Sequence, residues 1–222
     1  MKILTIIPAR SGSKGILHKN KYNLFGKPLF VHSVDHARGS IYAKHMKIFV
    51  STDSEEYADI ARENGVEVPF LRPQNISGDY ATDIEFIIHA LDEYRKVGYV
   101  PDYILHLRPT QPMRTSKMID DAIKTFIVNN EYTSLRSVIP FNKTPFKMYT
   151  IEGEDLKPLY PNLCEMPRQK LEQCYMHNGY IDIYKPTVVY TGSLLGNKPY
   201  PYVMKENHNV DIDSYEDIKS II

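Results

Sequence analysis

Residues 3–21 read ILTIIPARSGSKGILHKNK, and this stretch decides the fold. Its first five residues are almost all apolar and rich in β-branched side chains, which is typical of a strand covered on both faces in a parallel sheet. The run meets a proline at Pro8, and small flexible residues then alternate with basic ones such as Arg10, Lys14 and Lys19. The pattern predicts a buried first strand followed by a basic, glycine-containing loop.

Strand and helix patterns alternate from this stretch to about residue 130. Strands are predicted at 3–7, 47–53, 66–73 and 101–110, and helices at 54–65, 84–91 and 116–127. Pro69 marks the third strand as an edge or irregular one. The alternation predicts an α/β fold with a Rossmann-like, mostly parallel twisted sheet and helices on both faces. Ligands bind beyond the carboxyl ends of such strands, so the loops after Ile7, Val50 and Leu107 are expected to share one rim.

The composition of the sequence changes near residue 140, where Pro, Lys and Tyr become frequent and helical periodicity weakens. Residues 140–180 are therefore predicted to form an extended arm with short antiparallel strands. Strands are expected again at 178–186 and 201–204, and a capped helix at 213–222. The length of 222 residues suits one domain spanning 1–222, with the arm as a subregion.

Bulk composition excludes several classes of function. Lys plus Arg and Asp plus Glu both total 27, so a zero net charge argues against bulk binding to nucleic acid or to an anionic membrane. Cys164 and Cys174 have neither zinc-site spacing nor a histidine pattern beside them, which indicates reduced thiols in a cytoplasmic protein. No apolar run has the length of a membrane span, and the N-terminus lacks the small-residue cleavage site of a signal peptide.

The basic loop is suited to a polyphosphate. Backbone N–H groups in a glycine-containing turn form a concave anion site, and lysine and arginine beside it add charge and donors. The spacing of Gly12 and Gly15 does not match a Walker loop, and a G-x-G-x-x-G fingerprint is absent. The alternative is a solvated basic surface loop. Its place directly after the first buried strand favours phosphate binding.

Six stretches of the sequence carry a family resemblance in a fixed order. They read IIPARSGSKGILHKN (6–20), VSTDSEEYADIARENGVEVPFLRP (50–73), SGDYATD (77–83), LRPTQPMR (107–114), MPRQKLEQCYMHNGYIDIY (166–184) and NVDIDSYEDI (209–218). Together they resemble the CMP-sugar synthetases, the cytidylyltransferases that activate nonulosonic acids such as sialic acid. The chain looks less like the Kdo cytidylyltransferases, whose first loop lacks the S-K-G-…-K-N arrangement.

This resemblance implies transfer of CMP from CTP to the anomeric hydroxyl of a nonulosonic sugar, with release of pyrophosphate. The nucleotide contacts it implies are Arg10, Ser11, Gly12, Ser13, Lys14, Lys19, Asn20, Asp79 and Thr82. Arg10, Lys14 and Lys19 would also stabilise charge during the reaction, which fixed cations do for departing phosphates. Two alternatives stay open: Asn20 as a turn residue that fixes the loop, and Thr82 as a helix cap.

Asp211 and Asp213 flank Ile212 near the C-terminus. In a strand the two carboxylates would lie on one face, where they repel each other unless a cation sits between them. Mg²⁺ takes few carboxylates together with phosphate oxygens, so this pair is the predicted metal site and Mg²⁺ the predicted cofactor. The alternative is a turn in which Asp213 only caps the last helix.

The acceptor site is implied by the resemblance at Arg108, Thr110, Gln111, Lys147, Arg168, Gln169, Asn178 and Tyr180. Arg108 and Gln111 depart from the usual family form L-Q-P-T-S-P-L-R. Arg108 can bind a carboxylate of the acceptor sugar, bind an extra polar substituent of that sugar, or change the shape of the pocket. Lys147 and Arg168 can also be ordinary surface cations, and Asn178 with Gly179 a tight turn. Arg114 is interpreted as structural.

In the predicted reaction the sugar hydroxyl attacks phosphorus in line, and no side chain is assigned as a general base. The resemblance also implies a homodimer, with the arm packed on the neighbouring site. Two rivals remain: a nucleotidyltransferase of the same fold that uses another NTP or a Kdo-like acid, and a non-catalytic nucleotide-sugar-binding module.

Overall fold

The computed structural model describes residues 1–205 and 210–222. Its strands are β1 (Ile3–Pro8), β2 (Asn23–Leu24), β3 (Lys27–Pro28), β4 (Met46–Ser51), β5 (Tyr103–His106), β6 (Ser134–Phe141), β7 (Tyr149–Glu152), β8 (Asp155–Pro158), β9 (Cys174–Tyr184) and β10 (Pro199–Val203). Its α-helices are α1 (Leu29–Arg38), α2 (Glu55–Glu63), α3 (Asp83–Lys96), α4 (Ser116–Val128), α5 (Pro186–Val189) and α6 (Tyr215–Lys219).

The main sheet has six strands in the order β10-β6-β9-β5-β1-β4. β1 pairs in parallel with β4 and β5, and β10 pairs in parallel with β6. β9 runs antiparallel to both of its neighbours, β5 and β6. Five of the six strands therefore run in one direction, and the predicted mostly parallel sheet is confirmed.

Helices cover both faces of this sheet. Successive residues of β1 point to opposite faces, yet Ile3, Leu4, Ile6 and Ile7 are all buried. On β5, the Tyr103 ring packs against α4 and the His106 ring against α3. These two residues are three positions apart, so α3 and α4 lie on opposite faces.

Helix ends follow the local signals in the sequence. The hydroxyls of Ser54, Thr115 and Ser214 accept hydrogen bonds from backbone N–H groups in the first turns of α2, α4 and α6. Past the end of α2, Gly65 has a φ of 72°, a conformation that glycine adopts at little cost. The predicted caps are therefore confirmed.

Two expected elements differ from the structure. Residues 66–73 form only a single bridge, Phe49 to Glu67, because Pro69 and Pro73 cannot donate to a ladder. β9 begins at Cys174 and passes through 178–179, so the Asn178-Gly179 turn is wrong. Gly179 instead lies in β9 with a φ of 71°, beside the register shift between β6 and β9.

The arm predicted at 140–180 contains the small antiparallel hairpin β7–β8, which is separate from the main sheet. Several of its apolar side chains are exposed, among them Ile151 and Leu156.

No described helix is long and apolar enough to cross a membrane.

A second, smaller core joins the two ends of the chain. Ile16 from the first loop packs in one cluster with Ile212 and Ile218 from the C-terminal segment. Leu24 and Leu29 complete this cluster. It holds the basic loop beside the predicted acidic pair, at the carboxyl ends of β1 and β5.

Candidate active site

A cleft of about 470 Å³ opens at the carboxyl ends of β1 and β5. The loop after β1 contributes Arg10, Ser13, Lys14, Gly15, Lys19 and Asn20 to its walls. Arg108 and Thr110 enter from the loop after β5, and Asp213 from the C-terminal segment. The loops after Ile7 and Leu107 therefore share one rim, as expected, whereas the loop after Val50 does not line the cleft and meets the first loop through Asp53.

The first loop is fixed from both sides. Asp53, which follows β4, accepts hydrogen bonds from the Ser11 backbone N–H and from the Ser11 hydroxyl, both at 2.8 Å. Asn20 is buried, and its side-chain amide donates to the Arg10 carbonyl at 2.9 Å. Asn20 thus fixes the loop, and Ser11 uses its donors on Asp53. Gly12 is exposed and does not line the cleft.

Each basic side chain of this loop is paired with a carboxylate. Asp79 lies 2.7 Å from Lys14 Nζ and 3.1 Å from Arg10 Nη1. Hydrogen bonds from Lys14 and then Arg10 hold the pKa of Asp79 below its usual range. Lys19 Nζ lies 2.6 Å from Asp213 Oδ1. The loop therefore presents three cations whose present counter-ions are exposed carboxylates that an incoming anion can replace.

The C-terminal segment is in direct contact with the first loop. A Cβ added at Gly15 would lie 2.2 Å from the Asp213 carbonyl oxygen, so only glycine permits this approach. On the other side, the Ile212 N–H donates to the Thr110 carbonyl at 3.0 Å. The two ends of the sequence and the loop after β5 thus meet at one place.

Asp211 and Asp213 alternate with buried Ile212, although this segment is not a strand. Loss of solvent around its carboxylate raises the pKa of Asp211, and the nearby Asp213 raises it further, while a hydrogen bond from Thr110 opposes the shift. Like charges in this position are the arrangement that a divalent cation relieves.

No cluster of three or more metal-ligating side chains occurs in residues 1–205 and 210–222. The acidic pair is nevertheless compatible with Mg²⁺, which is often held by one or two carboxylates plus substrate phosphates. Asn209, which opens the last motif quoted above, lies outside the described residues.

Thr82 occupies the N-cap position of α3. Its backbone N–H and its hydroxyl donate to Glu85 Oε2 at 2.6 and 2.8 Å, so the capping alternative is what the structure displays. The nucleotide contact of Thr82 stays a prediction. The next residue, Asp83, lines the cleft.

The predicted acceptor residues on the rim fall into two groups. Arg108 and Thr110 line the cleft, whereas Gln111, Asn178 and Tyr180 are buried beside it. The Gln111 amide has no hydrogen-bond partner among the described residues and faces Gly179, where an added Cβ would lie 3.2 Å from its Nε2 atom.

Arg114 is a structural residue, as interpreted from the sequence, but it is buried in the core. It donates to the Tyr180 carbonyl at 2.5 Å, to Ser33 Oγ at 2.6 Å and to the Arg108 carbonyl at 3.2 Å. Burial lowers the pKa of Arg114 to about 9. This side chain ties α1, β9 and the loop after β5 together.

Lys147, Arg168 and Gln169 lie on the arm. In the described part of this chain, none of the three lines the cleft. Lys147 Nζ donates to the Cys164 carbonyl at 3.0 Å, and Arg168 and Gln169 are exposed in a short 3₁₀ turn. Within one chain, these side chains are not brought to the site, and their roles stay predictions.

Arg72 is a cleft residue that the sequence reasoning missed. It is 5 % exposed, and its guanidinium donates to Ser51 and lies 4.4 Å from the centre of the Phe86 ring. Burial lowers its pKa to about 10, and it forms no ion pair within the described residues. Asp53 and Asp83 oppose this shift from a distance. A buried arginine without a direct ion pair is costly, which marks Arg72 as a functional candidate. The available signal was an arginine inside the apolar PFLRP run.

A family model described as Cytidylyltransferase matches residues 4–212. The chain belongs to the cytidylyltransferase family. The N-acylneuraminate cytidylyltransferase of Escherichia coli O18:K1:H7 is 33 % identical over 225 residues, covering 100 % of this chain and 51 % of that protein. The post-translational flagellin modification protein B of Campylobacter coli is 32 % identical, covering 99 % of this chain and 93 % of that protein. The chain spans about half the length of the first of these two relatives.

Solved structures agree with this family at the level of the fold. CMP-2-keto-3-deoxy-manno-octonic acid synthetase in complex with CTP superposes with a TM-score of 0.73 at 14 % identity, covering 100 % of this chain and 97 % of that one. A 4-diphosphocytidyl-2C-methyl-D-erythritol synthase from Anaerococcus prevotii gives 0.60 at 14 % identity, covering 99 % and 95 %. The cytidylyltransferase fold therefore holds across very different sequences.

Proposed function

We propose that this cytidylyltransferase transfers CMP from CTP to the anomeric hydroxyl of a nonulosonic acid and releases pyrophosphate. The observation that carries the proposal is the 2.6 Å contact between Lys19 and Asp213, residues from opposite ends of the sequence, inside one cleft. The relatives named N-acylneuraminate cytidylyltransferase and CMP-N,N'-diacetyllegionaminic acid synthase support the class of acceptor.

The triphosphate occupies the loop after β1. Arg10, Lys14 and Lys19 surround it, and the phosphates take the places of Asp79 and Asp213 as counter-ions. Fixed cations at this position neutralise the charge that grows on the departing pyrophosphate. Asp53 and Asn20 hold the loop in shape before the substrate arrives, so little reorganisation accompanies binding.

The cytosine base is recognised by Arg72 and Asp83, which line the cleft. Cytosine presents an amino donor beside two acceptors, whereas uracil presents an acceptor in place of the amino group. Asp83 supplies a carboxylate acceptor and Arg72 a guanidinium donor, which is the complementary set. Asp79 and Thr82 remain the predicted contacts of the cytidine moiety.

Asp211 and Asp213 are the side chains that would hold Mg²⁺ together with phosphate oxygens. When bound, the metal neutralises phosphate charge and lowers the pKa of a coordinated hydroxyl. The chain's own residues position the reaction: the cations align the α-phosphate for in-line attack by the sugar oxygen. The new O–P bond forms as the bond to the pyrophosphate oxygen breaks, and the hydroxyl proton passes to water.

A second copy of the chain completes the site. An isolated two-stranded hairpin is marginally stable in water, and β7–β8 exposes apolar side chains such as Ile151 and Leu156. Packing of this arm on a neighbour would bury these side chains and bring Lys147, Arg168 and Gln169 towards an acceptor. Light scattering tests this homodimer. Free Cys164 and Cys174 and the use of CTP support a cytoplasmic location.

The test is pyrophosphate release from four NTPs against four acids: N-acetylneuraminic, N,N'-diacetyllegionaminic, pseudaminic and 2-keto-3-deoxy-manno-octonic acid. CTP with a nine-carbon acid is expected to give the highest turnover. Asp213→Ala should fold normally and lose Mg²⁺-dependent release, while Asp121→Ala, an exposed position on α4, should stay active. Full activity of Asp213→Ala would remove the metal assignment, and nucleotide binding without release in the parent would favour a non-catalytic module.

A further inference from the structure

Asp182, on β9 next to the cleft, collects three donors although it is fully buried. Arg108 Nη1 lies 2.5 Å from Oδ2, His177 Nε2 lies 3.2 Å from the same oxygen, and Arg136 Nε lies 3.2 Å from Oδ1. Burial would raise the pKa of Asp182, yet the donors from His177, Arg108 and Arg136 hold it well below its usual range. Asp182 is therefore an anion anchored in the wall of the site.

Arg108 connects this anchor to the cleft. Its Nη2 atom lies 2.7 Å from Asp83 Oδ2, so the guanidinium is held between two carboxylates, and its side chain is 20 % exposed. Both Arg108 and Asp83 line the cleft. Arginine carries five N–H donors and these two contacts occupy two of them, so donors remain for a ligand.

The cluster pairs two carboxylates with two guanidinium groups. Asp83 and Asp182 face Arg108 and Arg136, and His177 also contacts Asp182. A substrate carboxylate at Arg108 would be a third anion around a guanidinium whose charge is already shared. A neutral oxygen meets no such repulsion and still accepts a hydrogen bond from a fixed donor.

Removing one partner of a buried ion pair is strongly destabilising, whereas the intact pair adds little net stability, so folding stability alone does not account for this cluster. We propose that Arg108 is the specificity-determining donor to a neutral oxygen of the acceptor sugar, a hydroxyl or an acyl carbonyl, and that Asp182 is its positioning residue. Arg108 does not bind the acid's carboxylate. The inference rests on the proposed function, and it decides between the alternatives that the sequence left open at this position.

The experiment uses the full chain and whichever of the four acids above the parent turns over fastest, together with the C1 carboxamide of that acid. Four variants are compared: Arg108→Gln, Asp182→Asn, the double variant, and His177→Gln as the matched control on the same carboxylate oxygen. The readouts are KM for the acceptor, or an inhibition constant where the carboxamide is not turned over, KM for CTP, and the thermal midpoint.

We expect Arg108→Gln to raise the acceptor KM by about tenfold or more, equally for the acid and the carboxamide, with KM for CTP within about twofold. Asp182→Asn should act in the same direction, the double variant should be no worse than Arg108→Gln, and His177→Gln should have little effect. Three results for Arg108→Gln would overturn the inference, however Asp182→Asn folds. They are a rise in acceptor KM that disappears with the carboxamide, a rise in KM for CTP instead of the acceptor, and no rise in either KM.

Additive losses in the double variant would equally overturn the role of Asp182, because a positioning residue acts only through Arg108. A parent enzyme that releases pyrophosphate with none of the four acids would refute the proposed function itself, and this inference with it. That outcome is seen in the parent, whereas failure of the inference alone appears only in the variants.

Discussion

Gly15→Ala is the substitution that most directly probes the contact between the first loop and the acidic pair. The new Cβ would lie 2.2 Å from the carbonyl oxygen of Asp213 and 3.4 Å from its carbonyl carbon. Both neighbours are backbone atoms, so neither can turn aside as a flexible side chain can. The loop and the C-terminal segment must separate.

The size of the separation follows from the geometry. The distance between the new Cβ and the Asp213 carbonyl oxygen must grow from 2.2 Å to an ordinary contact of 3.4 Å. The first loop, which carries Lys19, must therefore move about 1.2 Å away from the segment that carries Asp213. A misplacement of about 1 Å in an active site can cost about 100-fold in rate, or roughly 2.7 kcal/mol of transition-state stabilisation. Overpacking typically costs about 1–3 kcal/mol of folding stability, which lowers the thermal midpoint by about 2–12 °C in a chain of this size.

The assay is continuous pyrophosphate release with CTP, Mg²⁺ and acceptor, alongside a thermal melt. Gly12→Ala is the matched control, since it lies in the same loop and an added Cβ there meets nothing within 4 Å. We expect kcat/KM of Gly15→Ala to fall about 100-fold while Gly12→Ala stays within about threefold of the parent. A folded Gly15→Ala enzyme with parental activity would refute the reasoning that these two segments act on one substrate.

Three further predictions concern charge. Lys14→Ala should raise KM for CTP about tenfold and leave the thermal midpoint unchanged, because this side chain is 79 % exposed. Asp211→Asn should abolish turnover yet raise the thermal midpoint at pH 7. Because folding raises the pKa of Asp211, its carboxylate lowers folding stability at pH values above its ordinary pKa of 3.8. The difference in thermal midpoint between the variant and the parent should therefore vanish below pH 3.8. Burial lowers the pKa of His106 to about 3, so the free energy of unfolding should fall as the pH drops below 6.5. Denaturant titrations at a series of pH values should show a smaller fall for His106→Phe than for the parent.

The parts of the fold set by local signals were predictable. The apolar run at 3–7 fixes the first strand, and Ser54 and Thr115 begin their helices as hydroxyl caps do elsewhere. The meeting of the first loop with Asp213 also follows from sequence reasoning, because the carboxyl ends of parallel strands share a rim and the resemblance places the acidic pair there.

The parts set by distant partners were not. Asp53 and Ser11 are 42 positions apart, and no local pattern indicates that one carboxylate holds both donors of this serine. Arg72 reads as a surface cation near a poor strand, yet Ser51 and Phe86 bury it. β9 begins at Cys174 rather than at the expected position 178, and no local pattern indicates this because the register shift beside Gly179 depends on pairing with β6. Asp182 has the pattern of an ordinary polar position in a strand, yet two of its partners, Arg108 and Arg136, come from the loop after β5 and from β6.

The central claim is that the cations of the first loop and the carboxylates of Asp211 and Asp213 bind one metal–triphosphate. The most direct measurement is a crystal structure with CTP and Mn²⁺, in which anomalous scattering locates the metal. We predict a manganese ion between Asp211, Asp213 and phosphate oxygens, with Arg10 and Lys14 turned from Asp79 onto the triphosphate. A triphosphate bound away from the first loop, or a metal away from the two aspartates, would contradict the account.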